Sequence, residues 1–237
     1  MRFYNRIFKA LIVLFYAISM VGCSNTYVPR AVTSSDKDAH TILNVSPLSQ
    51  FPLYPTGCES VTATMALNHA GINIDVSEFI DCHLPCADFG FYESDGLCYG
   101  PDPYTVFVGN PRTKNSYGCM APVIEQALVS CVKNRKTIRN TTGTSLPNLC
   151  QNYIDSGIPV ILWATMEMRP VSSGNMWFLE DGRQFIWPAG EHCLLLIGYS
   201  DTEYFFNDPR HGQTVAYDRN STEVAYASLG KQSIVIL

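Results

Sequence analysis

Between Cys58 and Gly71 the chain carries apolar residues around most of a helical circumference. Val61 and Met65 form one row, Ala63 and Leu67 a second, and Ala66 and Ala70 a third, each pair spaced i, i+4. So little polar face predicts a buried helix rather than a surface one, and other elements must cover it. A Pro-rich extended run, Gln50-Phe-Pro-Leu-Tyr-Pro-Thr56, leads in and breaks at Gly57. Gly71 supplies a left-handed residue to stop the helix. Cys58 falls in the first turn, where unpaired backbone N–H groups and the positive end of the macrodipole favour a thiolate over a thiol. That makes Cys58 a candidate nucleophile. The competing reading, equally weighted on this stretch alone, is a small apolar residue or half of a disulfide.

With 237 residues, 46% of them hydrophobic and 16% charged, the chain suits one sizeable globular domain or two small lobes sharing a core. The N-terminus stands apart. Arg2, Arg6 and Lys9 precede the apolar run Ala10–Val21, the layout of a secretory signal peptide. The run is shorter than the roughly 20 residues a transmembrane helix needs. It ends in Met20-Val21-Gly22-Cys23-Ser24, which resembles a bacterial lipobox and implies cleavage that leaves Cys23 as a lipid-modified N-terminus. The expected organisation is a signal peptide over 1–22, a polar tether over 23–41 and a folded domain over 42–237. Residues 1–22 hold three basic and no acidic residues, so their removal takes the net charge from −5 to −8. That acidity argues against nucleic acid as a partner.

Export places nine cysteines in an oxidising compartment, where disulfides are the first expectation. Setting aside Cys23, Cys58 and the strand residue Cys193 leaves Cys82, Cys86, Cys98, Cys119, Cys131 and Cys150 as disulfide candidates, with the pairing open. Cys82-His83-Leu-Pro-Cys86 has a loose metal-like spacing, but disulfides are preferred and no metal or cofactor is expected.

Residues 72–120 read as irregular, apart from a short helix over Asp75–Ile80. Helices are expected over Pro122–Asn134 and Leu146–Asp155, followed by a doubly buried strand at Pro159–Thr165. Short β-branched and aromatic runs follow at Met176–Leu179, Gln184–Trp187, Cys193–Tyr199, Glu203–Asn207, Gln213–Tyr217 and Ser233–Leu237. Helices first and a sheet afterwards make the class α+β.

A cysteine nucleophile needs a base, and the base needs an orienting acceptor. His40 lies in the tether, and His83 in the Cys-rich loop. His69 sits on the Cys58 helix but roughly 16 Å along its axis. His192 opens the strand Cys193–Tyr199, and the turn Ser200-Asp201-Thr202 sends the next strand back beside it. Asn207 and Asp208 therefore arrive near His192, with register uncertain by a residue or two. His211 reads as a surface residue just past that turn.

Several motifs together carry a family resemblance: Pro55-Thr-Gly-Cys-Glu-Ser60, Gly100–Pro111, Gly157–Trp163, Glu191–Tyr199 and Asn207-Asp-Pro-Arg-His-Gly212. They resemble, in order, segments of the papain-like cysteine peptidases related to the bacteriocin-processing, double-glycine leader peptidases. The resemblance implies a papain-like α+β fold, with Cys58 as nucleophile, His192 as base, Asp208 as its orienter and Gln50 as an oxyanion donor. It implies a peptide or protein substrate. The expected function is an exported, lipid-anchored cysteine peptidase facing outside the cytoplasm. The rivals are a transpeptidase or amidase on the same scaffold, and a non-catalytic, disulfide-stapled surface lipoprotein that binds a ligand or partner.

Overall fold

A computed structural model describes residues 29–32, 39–88, 92–94 and 96–237. The expected signal peptide, Cys23 and much of the tether lie outside the described residues. Two pieces of the segment read as tether are strands, β1 (Arg30–Ala31) and β2 (Ala39–Ile42), and both pair with the main sheet.

Helix α1 (Cys58–His69) is buried at every position from Cys58 to Leu67, as its three apolar rows require. Helix α2 (Val76–His83) is capped by Asp75, whose Oδ1 accepts the Glu78 N–H at 2.8 Å. It runs one turn past Ile80 and so takes in Cys82 and His83. Short strands β3 (Cys86–Ala87), β4 (Tyr92–Ser94), β5 (Leu97–Tyr99) and β6 (Phe107–Val108) follow. Helix α3 (Ala121–Val132) carries Pro122 in its first turn, where a missing N–H costs nothing. After β7 (Ile138–Asn140), α4 (Leu146–Asn152) ends earlier than its sequence suggests, in a 3-10 turn at Ile154–Ser156 closed by left-handed Gly157.

The strands β8 (Val160–Thr165), β9 (Ser172–Phe178), β10 (Gln184–Ala189), β11 (Glu191–Ser200), β12 (Glu203–Asp208) and β13 (Gln213–Asp218) come next. Helix α5 (Arg219–Ser228) then intervenes before β14 (Ser233–Ile236). Sequence patterning misses α5 because Thr222 and Val224 are β-branched and only Thr222, Ala225 and Tyr226 are buried. The Asp218 carboxylate, which accepts the Ser221 N–H at 2.9 Å, starts the helix.

The main sheet runs β1-β13-β12-β11-β8-β14-β7. β8 pairs with β11 along Glu191–Leu196, and β2 continues along the same edge at Gly198–Ser200. A Cβ at Gly198 would lie 2.4 Å from the Thr41 carbonyl oxygen, so glycine alone lets β2 approach this closely. Both faces are covered. On one, Ile161, Trp163, Cys193, Leu195 and Phe205 meet α1 and α3; on the other, Leu162, Leu194, Leu196, Phe206 and Tyr217 pack in the layer that holds Leu149 of α4 and Tyr226 of α5. Each fully buried leucine contributes about 1.5–3 kcal/mol, which sets β8 and β11 as the spine. A second sheet, β10-β9-β5-β4, forms a separate four-stranded layer.

No disulfide joins the cysteines among the described residues. All eight cysteines among the described residues are free thiols, including Cys82, Cys86, Cys98, Cys119, Cys131 and Cys150. Cys119 and Cys131 pack in the α1–α3 layer and Cys150 in the opposite layer, so the main sheet separates them. A disulfide needs Cα atoms within about 4.4–6.8 Å. Cys82 and Cys86 are exposed, and Cys98 is half-buried.

Candidate active site

The hairpin of β11 and β12 pairs Leu195 with Asn207, which places Asp208 opposite Leu194. Strand alternation then puts His192, Leu194 and Asp208 on one face. His192 Nε2 and Asp208 Oδ1 lie 2.8 Å apart, both side chains almost wholly buried. The Arg210 backbone N–H donates to the same oxygen at 2.8 Å, and the Tyr217 hydroxyl donates to Oδ2 at 2.9 Å. Burial by itself would raise the Asp208 pKa. The charge of His192, with hydrogen bonds from His192, Tyr217 and the Arg210 N–H, outweighs it and holds the carboxyl well below the usual range.

Asn207 and His211, the other candidates for these roles, are engaged elsewhere. Asn207 projects from the opposite face, donates to the Val45 carbonyl at 2.7 Å and accepts from Thr214 at 2.6 Å. His211 Nε2 lies 3.1 Å from Glu167 Oε1. His69 bonds the Gly157 carbonyl, His83 bonds Ser130, and His40 faces Asp201 at the surface.

Cys58 opens α1 and is 7% exposed. Its thiol donates to Glu59 Oε2 at 3.2 Å. The sulfur and one carboxylate oxygen from each of Glu59 and Glu191 lie within 4.8 Å of one another. Burial first, then the charges of Glu59, Glu191 and Cys193, push the thiol well above its ordinary pKa; the Cys193 backbone N–H opposes this. Its surroundings thus favour the thiol form of Cys58, against the thiolate expected from its place in the helix. Desolvation and two neighbouring carboxylates outweigh the helix dipole.

Those carboxylates went unremarked in the sequence. Glu59 is fully buried, and its Oε1 accepts the Cys119 N–H at 2.7 Å. Burial pushes its pKa up to about 7, against the hydrogen bonds from backbone N–H groups and the thiol, and the His192 charge. Glu191 is raised well above the ordinary value by burial and by Glu59, and its Oε1 has no hydrogen-bond partner among the described residues. A signal was present for Glu59, an acid inside a helix that reads as buried, but not for Glu191, which precedes the run Cys193–Tyr199. Gly118 (φ +141°) makes room for this group, since a Cβ there would lie 2.4 Å from Glu59 Oε1.

Gln50 ties the loop before α1 to the His–Asp turn, through its backbone N–H on the Pro209 carbonyl at 2.9 Å. Its Nε2 donates to the Pro55 carbonyl at 2.8 Å, which uses one of its two protons, and its buried Oε1 has no partner among the described residues. A cavity of about 360 Å³, lined in part by Thr165, Glu167, Gly190 and Arg210, lies beside the chain neighbours of Glu191 and Asp208 but is lined by none of Cys58, Gln50, Glu59, Glu191, His192 or Asp208. The larger cavity, about 790 Å³ around Pro101, Asp102, Asp181 and Arg183, touches none of these groups.

An antiparallel sheet with helices on both faces, a cysteine opening the central helix and a buried His–Asp pair on the adjoining strands define a papain-like, cysteine-peptidase-type scaffold of the α+β class. The chain belongs to the Peptidase_C39 like family, whose model matches residues 42–234. A Bacillus anthracis protein assigned to the C39-like peptidases has a crystal structure that superposes with a TM-score of 0.72 at 26% identity, covering 83% of this chain and 97% of that one. The uncharacterized protein YvpB of Bacillus subtilis strain 168 is 28% identical over 185 residues, 78% of this chain and 70% of YvpB.

Proposed function

We propose that this protein is a cysteine peptidase that cleaves peptide bonds through an acyl-enzyme on Cys58. The observation that carries the reading is the buried His192–Asp208 pair at 2.8 Å, on the strand whose next residue, Cys193, turns its backbone N–H toward the Cys58 sulfur. The deprotonated sulfur attacks the scissile carbonyl. Asp208 holds Nε2 and so leaves Nδ1 to act on substrate: it protonates the leaving amine, then takes a proton from the water that hydrolyses the thioester. The Cys58 backbone N–H, unpaired in the first helical turn, and the second Nε2 proton of Gln50 are the donors for the oxyanion.

The lipobox-like Met20–Cys23 junction supports export and anchoring through Cys23, which would restrict the enzyme to peptide or protein substrates outside the cytoplasm. The test is hydrolysis of a quenched-fluorescent peptide library by wild type, Cys58→Ala and His192→Ala. Turnover by wild type alone is expected. A Cys58→Ala protein as active as wild type would remove the reading.

A further inference from the structure

The cavity of about 360 Å³ flanks the strand ends that carry His192 and Asp208. Its walls come from the end of β8, the turn after it, Gly190 and Arg210, and no described residue of α1 or of the loop that carries Gln50 lines it. Gly190 stands two residues before His192, and Arg210 two after Asp208, so each lies at most about 7 Å along the chain from a member of the pair. A Cβ at Gly190 would meet nothing within 4 Å, which leaves open space where the cavity approaches β11. In the peptidase reading His192 serves the leaving amine, and the cavity therefore adjoins the part of the substrate beyond the scissile bond.

The turn that walls the cavity is strained. Glu167 (φ 56°, ψ 24°) and Met168 (φ 51°) are both left-handed, a conformation that residues other than glycine rarely take. Such outliers persist where surrounding contacts over-determine them, as at ligand clamps. Here the Met166 N–H donates to the Gly190 carbonyl at 2.8 Å, and the Thr165 hydroxyl donates to the Arg169 carbonyl. Arg210 Nη1 donates to Met166 Sδ at 3.2 Å, and Glu167 Oε1 lies 3.1 Å from His211 Nε2 and 3.7 Å from Arg210 Nε. The cavity is also positive, in a chain whose net charge is −5. Two guanidinium groups, Arg169 and Arg210, line it against one carboxylate, and that carboxylate is taken up by Arg210 and His211. Arg169 is exposed, and its side chain has no partner among the described residues.

We infer that this cavity is a subsite for a carboxylate on the leaving segment of the substrate, received by Arg169 with Arg210 beside it. The inference rests on the peptidase reading and adds the charge of the substrate to it. A guanidinium presents a planar fork that matches a carboxylate through two parallel N–H···O bonds. With Glu167 offsetting one guanidinium, a ligand carrying one negative charge neutralises the cavity. The carboxylate belongs either to an Asp or Glu side chain or to the free C-terminus of the substrate, and both present the same group to Arg169.

Fluorescent peptide pairs that differ only by a carboxylate against a carboxamide test the inference. One pair exchanges Glu for Gln just beyond the scissile bond and ends in an amide. The other keeps Gln and exchanges a free C-terminal carboxylate for the amide. In at least one pair wild type should favour the acid in kcat/KM by about 10–100-fold, and that pair identifies the source of the carboxylate. Arg169→Gln should bring the ratio close to unity, and Arg169→Glu should turn the preference toward a Lys-bearing peptide. Equal kcat/KM for acid and amide in both pairs, or a ratio that Arg169→Gln leaves unchanged, would overturn the inference while leaving Cys58 as nucleophile. Should wild type hydrolyse neither pair, the peptidase reading falls, and anisotropy titration of the same peptides decides the subsite separately. Binding of the acid about tenfold tighter to wild type than to Arg169→Gln supports it, and equal binding overturns it.

Discussion

His192 and Asp208 are joined across the β11–β12 ladder at 2.8 Å, and Tyr217 on β13 completes the carboxylate from the other side at 2.9 Å. Three adjacent strands thus supply one side chain each, so the orientation of the imidazole is a property of sheet register. The register is held in turn by the buried leucines of β11.

Asp208→Asn should leave the fold intact and lower kcat by about 10²–10⁴-fold with little change in KM, measured on any peptide that wild type cleaves. It should also flatten the acid limb of stability. The folded-state pKa of Asp208 is depressed, so its contribution is complete above the unfolded value of about 3.9 and fades as pH falls toward the folded one. Urea midpoints of wild type and variant should therefore converge below about pH 4. A constant gap would refute the depressed pKa.

Tyr217→Phe removes a hydrogen bond to an ionised, buried oxygen. A loss of about 1.5–3 kcal/mol is expected in urea unfolding at neutral pH. An unchanged midpoint would mean that Asp208 Oδ2 finds another donor.

Gly118→Ala places a methyl group against Glu59 Oε1 on a backbone that L side chains rarely adopt. Destabilisation of about 1–3 kcal/mol is expected, with a change in the pH at which Cys58 is alkylated. Wild-type behaviour in both assays would place the carboxylate somewhere other than beside Gly118.

Wild-type Cys58 should resist iodoacetamide at pH values where an ordinary thiol of pKa about 8.5 already reacts, because burial and two carboxylates keep it protonated. Mass spectrometry of the labelled peptide across pH gives the answer. Rapid labelling in mildly acidic buffer would restore the thiolate reading.

Cys23→Ala should move the protein from the membrane fraction to the soluble one, since stable anchoring needs the multiple acyl chains that lipoprotein maturation adds. Wild type recovered in the medium with an unmodified N-terminus would exclude the anchor.

The residues that announce themselves in the sequence do so through short-range pattern. Three apolar rows make α1 a buried helix, Gly71 ends it, and Cys58 has to sit in its first turn. Two alternating strands around Ser200-Asp201-Thr202 bring Asp208 back to His192, because antiparallel pairing returns one strand end beside the other. The choice between Asn207 and Asp208 needed the register, since a slip of one residue exchanges the faces of the sheet. Helix α5 and the pairing of β1 and β2 also lay beyond local pattern, because α5 is held by burial against distant residues and β1 and β2 by backbone pairing with distant strands, not by propensity. The same holds for the cysteines, since which of them come within reach of one another depends on the side of the main sheet each occupies. Above all, the protonation of Cys58 could not be read from its helix. A helix N-terminus is a local feature, but desolvation is set by everything that covers the group. Only the folded chain brings Glu191 from β11 to within 4.8 Å of Cys58 and Glu59.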